Sequence, residues 1–221
     1  MLSTILSLIL FALAGAMSTV PASATIMILL SPDPRRGALP FLIGSLAGSV
    51  VVVGLSAMGL QFLPVRPRLK DELLASIGLL VGVALIGYSI ILFVHKSRSE
   101  GTLLGKIESR FRSARSWEFL ALGLGLNLRP KAILLAVTAG ALIGIQDPPP
   151  LQGALLVLAY AVVAQSAVVV PIAVWLRSPE RAQRPLTALY NWLQRNGRRI
   201  AAIGTLTIGL VVAGYSFLLQ L

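Results

Sequence analysis

The sequence predicts an all-α, polytopic membrane protein: six transmembrane helices in one domain, laid out as three plus three in an inverted repeat. Three observations predict it. Of the 221 residues, 56% are hydrophobic and only 12% are charged, with a mean hydropathy of +0.86, whereas a soluble domain carries about 25% charged residues. Six apolar runs follow one another, each near the roughly 20 residues that a helix needs to cross the hydrocarbon core. Finally, three crossings per half is an odd number, so the second half starts from the opposite face to the first, which is the arithmetic of an inverted repeat.

The first run, Leu2–Leu30, contains "PASA" (Pro21–Ala24), a small-x-small pattern like a signal-peptide cleavage site. No Lys or Arg precedes it, and the apolar character continues through Ile26–Leu30, so it reads as a retained helix. The second run is Ala38–Leu60 and the third Leu73–Val94. The fourth, Trp117–Ile145, is interrupted by Arg129, Pro130 and Lys131 in succession. The fifth is Leu151–Leu176 and the sixth Ile200–Leu219. Short polar links join them, so residues 1–221 form a single membrane domain with no soluble domain left over. Two links match across the halves, "DPRRGAL" (Asp33–Leu39) and "DPPPLQGAL" (Asp147–Leu155), which supports the repeat.

Orientation follows from the distribution of Lys and Arg. With the N-terminus outside, the inner links Ser31–Gly37, His95–Ser116 and Arg177–Arg199 hold 14 of the 19. The outer links hold only Arg66, Arg68 and Lys70, and the last two are Arg129 and Lys131. The expectation is a multi-pass protein of a bacterial inner (cell) membrane with both termini outside. Ser109–Ser116 and Leu186–Arg195 read as short interfacial helices whose charges meet anionic headgroups. A net charge of +11 would suit nucleic acid, but the basic residues flank apolar spans and no aromatic-interleaved basic patch exists, so nucleic acid is not an expected partner.

Arg129 and Lys131 carry the chemistry. A charge at the bilayer centre costs at least about 2.5–3.5 kcal/mol on insertion scales. Both residues lie a dozen or more positions from either end of their run, which leaves snorkelling little reach. The eight acids, Asp33, Asp71, Glu72, Glu100, Glu108, Glu118, Asp147 and Glu180, all lie in links or at helix ends. An anion supplied from outside the chain is the economical partner; a wet cavity or backbone carbonyls are the alternatives. Pro130 and Pro21 fall at matched depth, about 18 and 15 Å from the inner surface at 1.5 Å per residue. Each removes a helix hydrogen bond and would free a carbonyl, a break tolerated at membrane depth where protein or a wet cavity covers it. A simple kink is the rival reading. Ser18, Thr19, Asn127, Gln165 and Ser166 are further polar residues that could line the same site between the first and fourth helices, or make helix-packing hydrogen bonds instead.

At these residues the chain resembles a known family. "VPASATIMILLSPDPRRGALPFLIGSLAG" (Val20–Gly48) is similar to the first signature of the glycolipid-addressing proteins (Sap or GAP), and "RPKAILLAVTAGALIG" (Arg129–Gly144) resembles their second, an Asn-Pro-Lys run followed by an Ala-Gly element. Arg129 departs from it, standing where that family usually has asparagine. The resemblance implies membership of the lysine-exporter (LysE) superfamily and movement of a glycolipid to the cell envelope. The substrate expected is then an anionic lipid or a small anionic solute. The alternatives are a non-transporting accessory protein of larger lipid-export machinery and an amino-acid-like exporter. Partners on this reading are the lipid bilayer, such machinery, and a homo-oligomer. One histidine (His95), no cysteine and no paired intramembrane acids leave no catalytic residues, no metal site and no cofactor to expect.

Overall fold

The computed structural model describes residues 2–61, 67–94 and 114–218. The charged stretch from Lys96 to Arg112, Arg66, and most of the anticipated surface helix at Ser109–Ser116 lie outside those residues. Among the described residues every regular element is helical. In chain order these are α1 (Leu2–Ala16), α2 (Thr19–Leu29), α3 (Pro34–Gln61), α4 (Pro67–Val94), α5 (Ser116–Leu126), α6 (Pro130–Ile145), α7 (Pro150–Ala164), α8 (Ser166–Arg177) and α9 (Pro179–Leu218).

Three of the apolar runs are bent pairs rather than single helices. The chain turns by 51° between α1 and α2, by 69° between α5 and α6, and by 74° between α7 and α8. The second bend has a local cause. Arg129 precedes a proline and is driven out of the helical region, to φ −71°, ψ 146°. Pro130 then opens α6, where a missing N–H costs nothing and its fixed φ suits the helix. Pro21 likewise sits in the first turn of α2. This corrects the expectation that the prolines free carbonyls. Both begin a helix, so no intrahelical bond is lost, and the break precedes each of them. Thr25 Oγ1 donates to the Pro21 carbonyl at 2.7 Å within the same helix.

The third bend is not foreshadowed by a proline. Gln165 turns at φ −96°, ψ 15°, and its carbonyl accepts from both Val168 N (2.8 Å) and Val169 N (2.9 Å). Pro171 lies inside α8, beyond the turn. A further correction concerns Arg177–Arg199. That stretch is neither a link nor a separate surface helix at Leu186–Arg195; Arg177 ends α8, and from Pro179 on it is the first half of α9, a 40-residue helix. Pro185 lies inside it, and both Pro185 and Arg181, the residue whose carbonyl loses its N–H partner, are on the exposed face. Ala182 and Leu186 bury the opposite face.

The apolar side chains form two clusters, one toward each end of the bundle. At the Asp147 end, Leu8 and Phe11 of α1, Val53 and Ala57 of α3, Val81 and Leu85 of α4, Leu142 and Ile143 of α6, and Val157 and Tyr160 of α7 pack together. At the Arg35 end, Ile26 and Ile28 of α2, Ala38 and Phe41 of α3, Phe119 of α5, Val168 and Ile172 of α8, and Leu186 of α9 do so. Each bent pair gives one half to each cluster. Straight α3 runs through both.

Close backbone approach fixes the pairs. A methyl at Gly123 of α5 would sit 2.7 Å from Ser45 N of α3. One at Gly82 of α4 would sit 2.7 Å from Ala213 N of α9. Small residues at such contacts let helices meet without side chains between them, as is common in lipid. By length and composition, Pro34–Gly59 of α3 can cross a membrane alone. Each bent pair can too when taken as one span, and α4 adds a shorter apolar stretch, Leu79–Ile91. Of the paired spans of the expected repeat, the first and fourth are both bent, whereas the fifth is bent and α3 is straight.

Candidate functional site

The three breaks converge. Between the two apolar clusters lies a cavity of about 70 Å³. Gly15, Ser18 and Pro21 reach it from the α1–α2 break, Asn127, Arg129 and Lys131 from the α5–α6 break, and Ala164 and Gln165 from the α7–α8 break. Ser49 of α3, Tyr88 of α4 and Tyr160 of α7 complete much of the wall. At its edge the α1 and α7 breaks nearly touch: a methyl on Gly15 would lie 3.1 Å from Ala164 Cβ.

Asn127 holds the level together. Its Nδ2 donates to Gly123 O at 3.0 Å, capping its own helix, and to Ser45 O of α3 at 3.0 Å. Its Oδ1 accepts from Gln165 Nε2 at 2.7 Å. The residue is 6% exposed, so every polar atom needed a partner. Gly48 is small for the same reason, because a methyl there would meet Asn127 Nδ2 at 2.7 Å.

Both cations face this space. Lys131 Nζ donates to Thr205 Oγ1 of α9 at 3.0 Å. Arg129 Nε donates back to Leu126 O at 3.3 Å, one of the several donors in the planar guanidinium fork. On a regular helix, residues two apart point about 200° away from each other. Arg129 is the extended cap and Lys131 the second residue of α6, so the break brings both to one cavity. None of the described residues lining it is acidic.

Helix ends add to the field. α2, α6 and α8 all start at the cavity, and their first-turn N–H groups and positive dipole ends are there. The ends of α1, α5 and α7 arrive at the same level with the opposite dipole sign; there Met17 N takes Leu13 O, Asn127 N takes Leu124 O, Leu128 N takes Gly125 O, and Gln165 N takes Ala161 O. Two cationic side chains facing one cavity without an acid among its described lining residues make a place for an oxyanion.

Of the residues singled out from sequence, Arg129, Lys131, Asn127, Pro21, Ser18 and Gln165 line the cavity. Pro130, Thr19 and Ser166 do not. Pro130 is exposed beside it, Thr19 faces α9, where a methyl on Gly197 would touch its Cγ2 at 3.2 Å, and Ser166 opens α8. Tyr88, Tyr160, Ser49 and Thr205 were not singled out. The only signal for the tyrosines was a hydroxyl in mid-run, which reads equally well as packing. No group of three His, Cys, Asp or Glu able to hold a metal occurs among the described residues.

A helical bundle of apolar, bent spans around a basic cavity defines a membrane protein. The chain matches the family of Sap, the sulfolipid-1-addressing protein, over residues 8–216, and belongs to that family. Its role therefore lies in lipid or glycolipid export or addressing. No curated protein and no solved structure matches it.

Proposed function

We propose that the protein exports an anionic glycolipid, or another anionic amphiphile, across a bacterial cell membrane, and that its cavity docks the oxyanion of the headgroup. The observation that carries this is the meeting of Arg129 and Lys131 in one cavity with no acid among its described lining residues. The family description makes a sulfated headgroup the natural candidate. On this reading the protein crosses the membrane six times, as a 3+3 repeat of the lysine-exporter type: α1 with α2, α3, α4, α5 with α6, α7 with α8, and the apolar second half of α9. Both termini lie outside, and the first half of α9 continues the last span on the inner side, packed on the bundle through Ala182 and Leu186. It is a carrier and not an enzyme. Its partners are the bilayer, its lipid, further copies of itself and larger export machinery.

The cavity volume, about 70 Å³, favours a second reading, in which a free small anion is the whole substrate. Purified protein in liposomes tests both. A labelled sulfated glycolipid should cross, inorganic sulfate should compete weakly, and Arg129→Gln should abolish flux while folded protein remains. Arg129→Lys should restore some of it, because an ammonium supplies charge without the planar fork. Flux of sulfate alone would select the small-anion reading. Binding of the lipid without flux would select the accessory role. Normal flux in Arg129→Gln would sink the site.

A further inference from the structure

A second, larger cavity of about 670 Å³ lies among α3, α6 and α7. Its walls are apolar, with Val50, Ala57 and Met58 on one side and Ile143, Val157 and Leu158 on the others, except at one end, where Asp147 lines it. Met58 is 57% exposed and Leu158 50%, so the groove has an apolar, outward-facing rim. Such a rim faces hydrocarbon when the bundle is in a bilayer.

The groove and the basic cavity follow the same three helices. On α3, Ser49 lines the cavity and Val50 the groove. On α7, Tyr160 and Ala164 line the cavity, while Val157 and Gly153 line the groove one and two turns further along. On α6, Leu135 and Ala136 line the one and Ile143 the other. Along α7 the groove extends about 12 Å, from Pro150 to Leu158, at 1.5 Å per residue. There is open space at its glycines: a methyl at Gly54 would meet nothing within 4 Å, and one at Gly153 only Pro148 Cγ at 3.4 Å.

We infer that this groove holds a hydrocarbon chain of the same molecule whose oxyanion sits between Arg129 and Lys131. The site is thus bipartite, polar at the three breaks and apolar toward the Asp147 end, and it selects amphiphiles over free anions. This rests on the export reading above. It also explains how so small a cavity serves a large lipid: only the charged group enters it. Burial of a chain against apolar walls gains little relative to the bilayer, whose lipid tails are just as apolar. The groove therefore sets the orientation and fit of the chain more than its affinity.

The test uses a synthetic sulfated glycolipid with a diazirine at the end of one acyl chain, and the full chain in nanodiscs. Photolysis should label α3 and α7 peptides containing Met58 and Leu158. Gly54→Phe, which adds a ring at a position where a Cβ meets nothing within 4 Å, should cut that labelling at least tenfold. Binding of the deacylated, water-soluble sulfated headgroup should stay within about twofold of wild type. Gly54→Ala, which is too small to fill the groove, should keep the labelling and guards against a folding defect. Unchanged labelling in Gly54→Phe overturns the groove assignment. So does equal labelling by a diazirine phosphatidylcholine, which would mean that bulk lipid fills the space. If wild type binds neither the lipid nor the headgroup, the export reading fails at the basic cavity, a distinct result.

Discussion

Gln165 Nε2 donates to Asn127 Oδ1 at 2.7 Å, joining the break between α7 and α8 to the break between α5 and α6. Asn127 in turn reaches α3 through Ser45 O. One amide thus fixes three spans at the level of the basic cavity.

Removing that amide should be costly. Asn127→Ala deletes three hydrogen bonds. At a net value of about 0.5–1.5 kcal/mol each, we expect a loss of about 2–3 kcal/mol, read from reversible unfolding in mixed micelles. Gln165→Ala should cost about 1 kcal/mol on the same scale. A double-mutant cycle should show coupling between the two, since they share a hydrogen bond. Strict additivity would mean that the pair does not interact.

A matched pair of glycines tests the α3–α5 approach. Gly123→Ala brings a methyl to 2.7 Å from Ser45 N and should lower thermal stability sharply as α5 is forced away. Gly125→Ala, two residues on, meets nothing within 4 Å. It should be neutral or stabilising by up to about 1 kcal/mol, from helix propensity alone. Equal behaviour of the two variants would refute the contact.

Charge and tether at Lys131 can be separated. Lys131→Gln keeps a donor for Thr205 Oγ1 and removes the charge, so sulfate-lipid binding should fall tenfold or more with stability retained. Thr205→Val removes the acceptor of the 3.0 Å bond and should cost about 1 kcal/mol with binding retained. The reverse pattern would make Lys131 structural.

Orientation is open to labelling because the chain has no cysteine. Asp147→Cys and Gln183→Cys are both at exposed positions. An impermeant thiol reagent should reach the first from outside the cell and the second only after permeabilisation. Labelling of both from one side would refute the six-crossing arrangement.

The legible features of the sequence are those that break a rule where they stand. Arg129 and Lys131 show because charge in an apolar run is expensive, and Pro130 marks its break because proline constrains the residue before it. Nothing comparable marks the turn at Gln165. It has no adjacent proline, and its amide is held in place by Asn127, 38 positions away. Tyr88 and Tyr160 are equally silent, since a tyrosine in an apolar run packs well anywhere. The continuity of α9 is hidden because Pro185 is a stop signal only where the lost hydrogen bond cannot be made good.

The division of the apolar interior into two clusters has a thermodynamic consequence. Ile143 belongs to one and Ile172 to the other, with the polar level of the breaks between them. Shortening either to alanine leaves a void, worth about 2–5 kcal/mol, that the far cluster does not feel. Because the two share no neighbours, the losses should sum in the double variant. Each end of the molecule is thus free to vary in sequence on its own terms, and only the few residues at the seam answer to both.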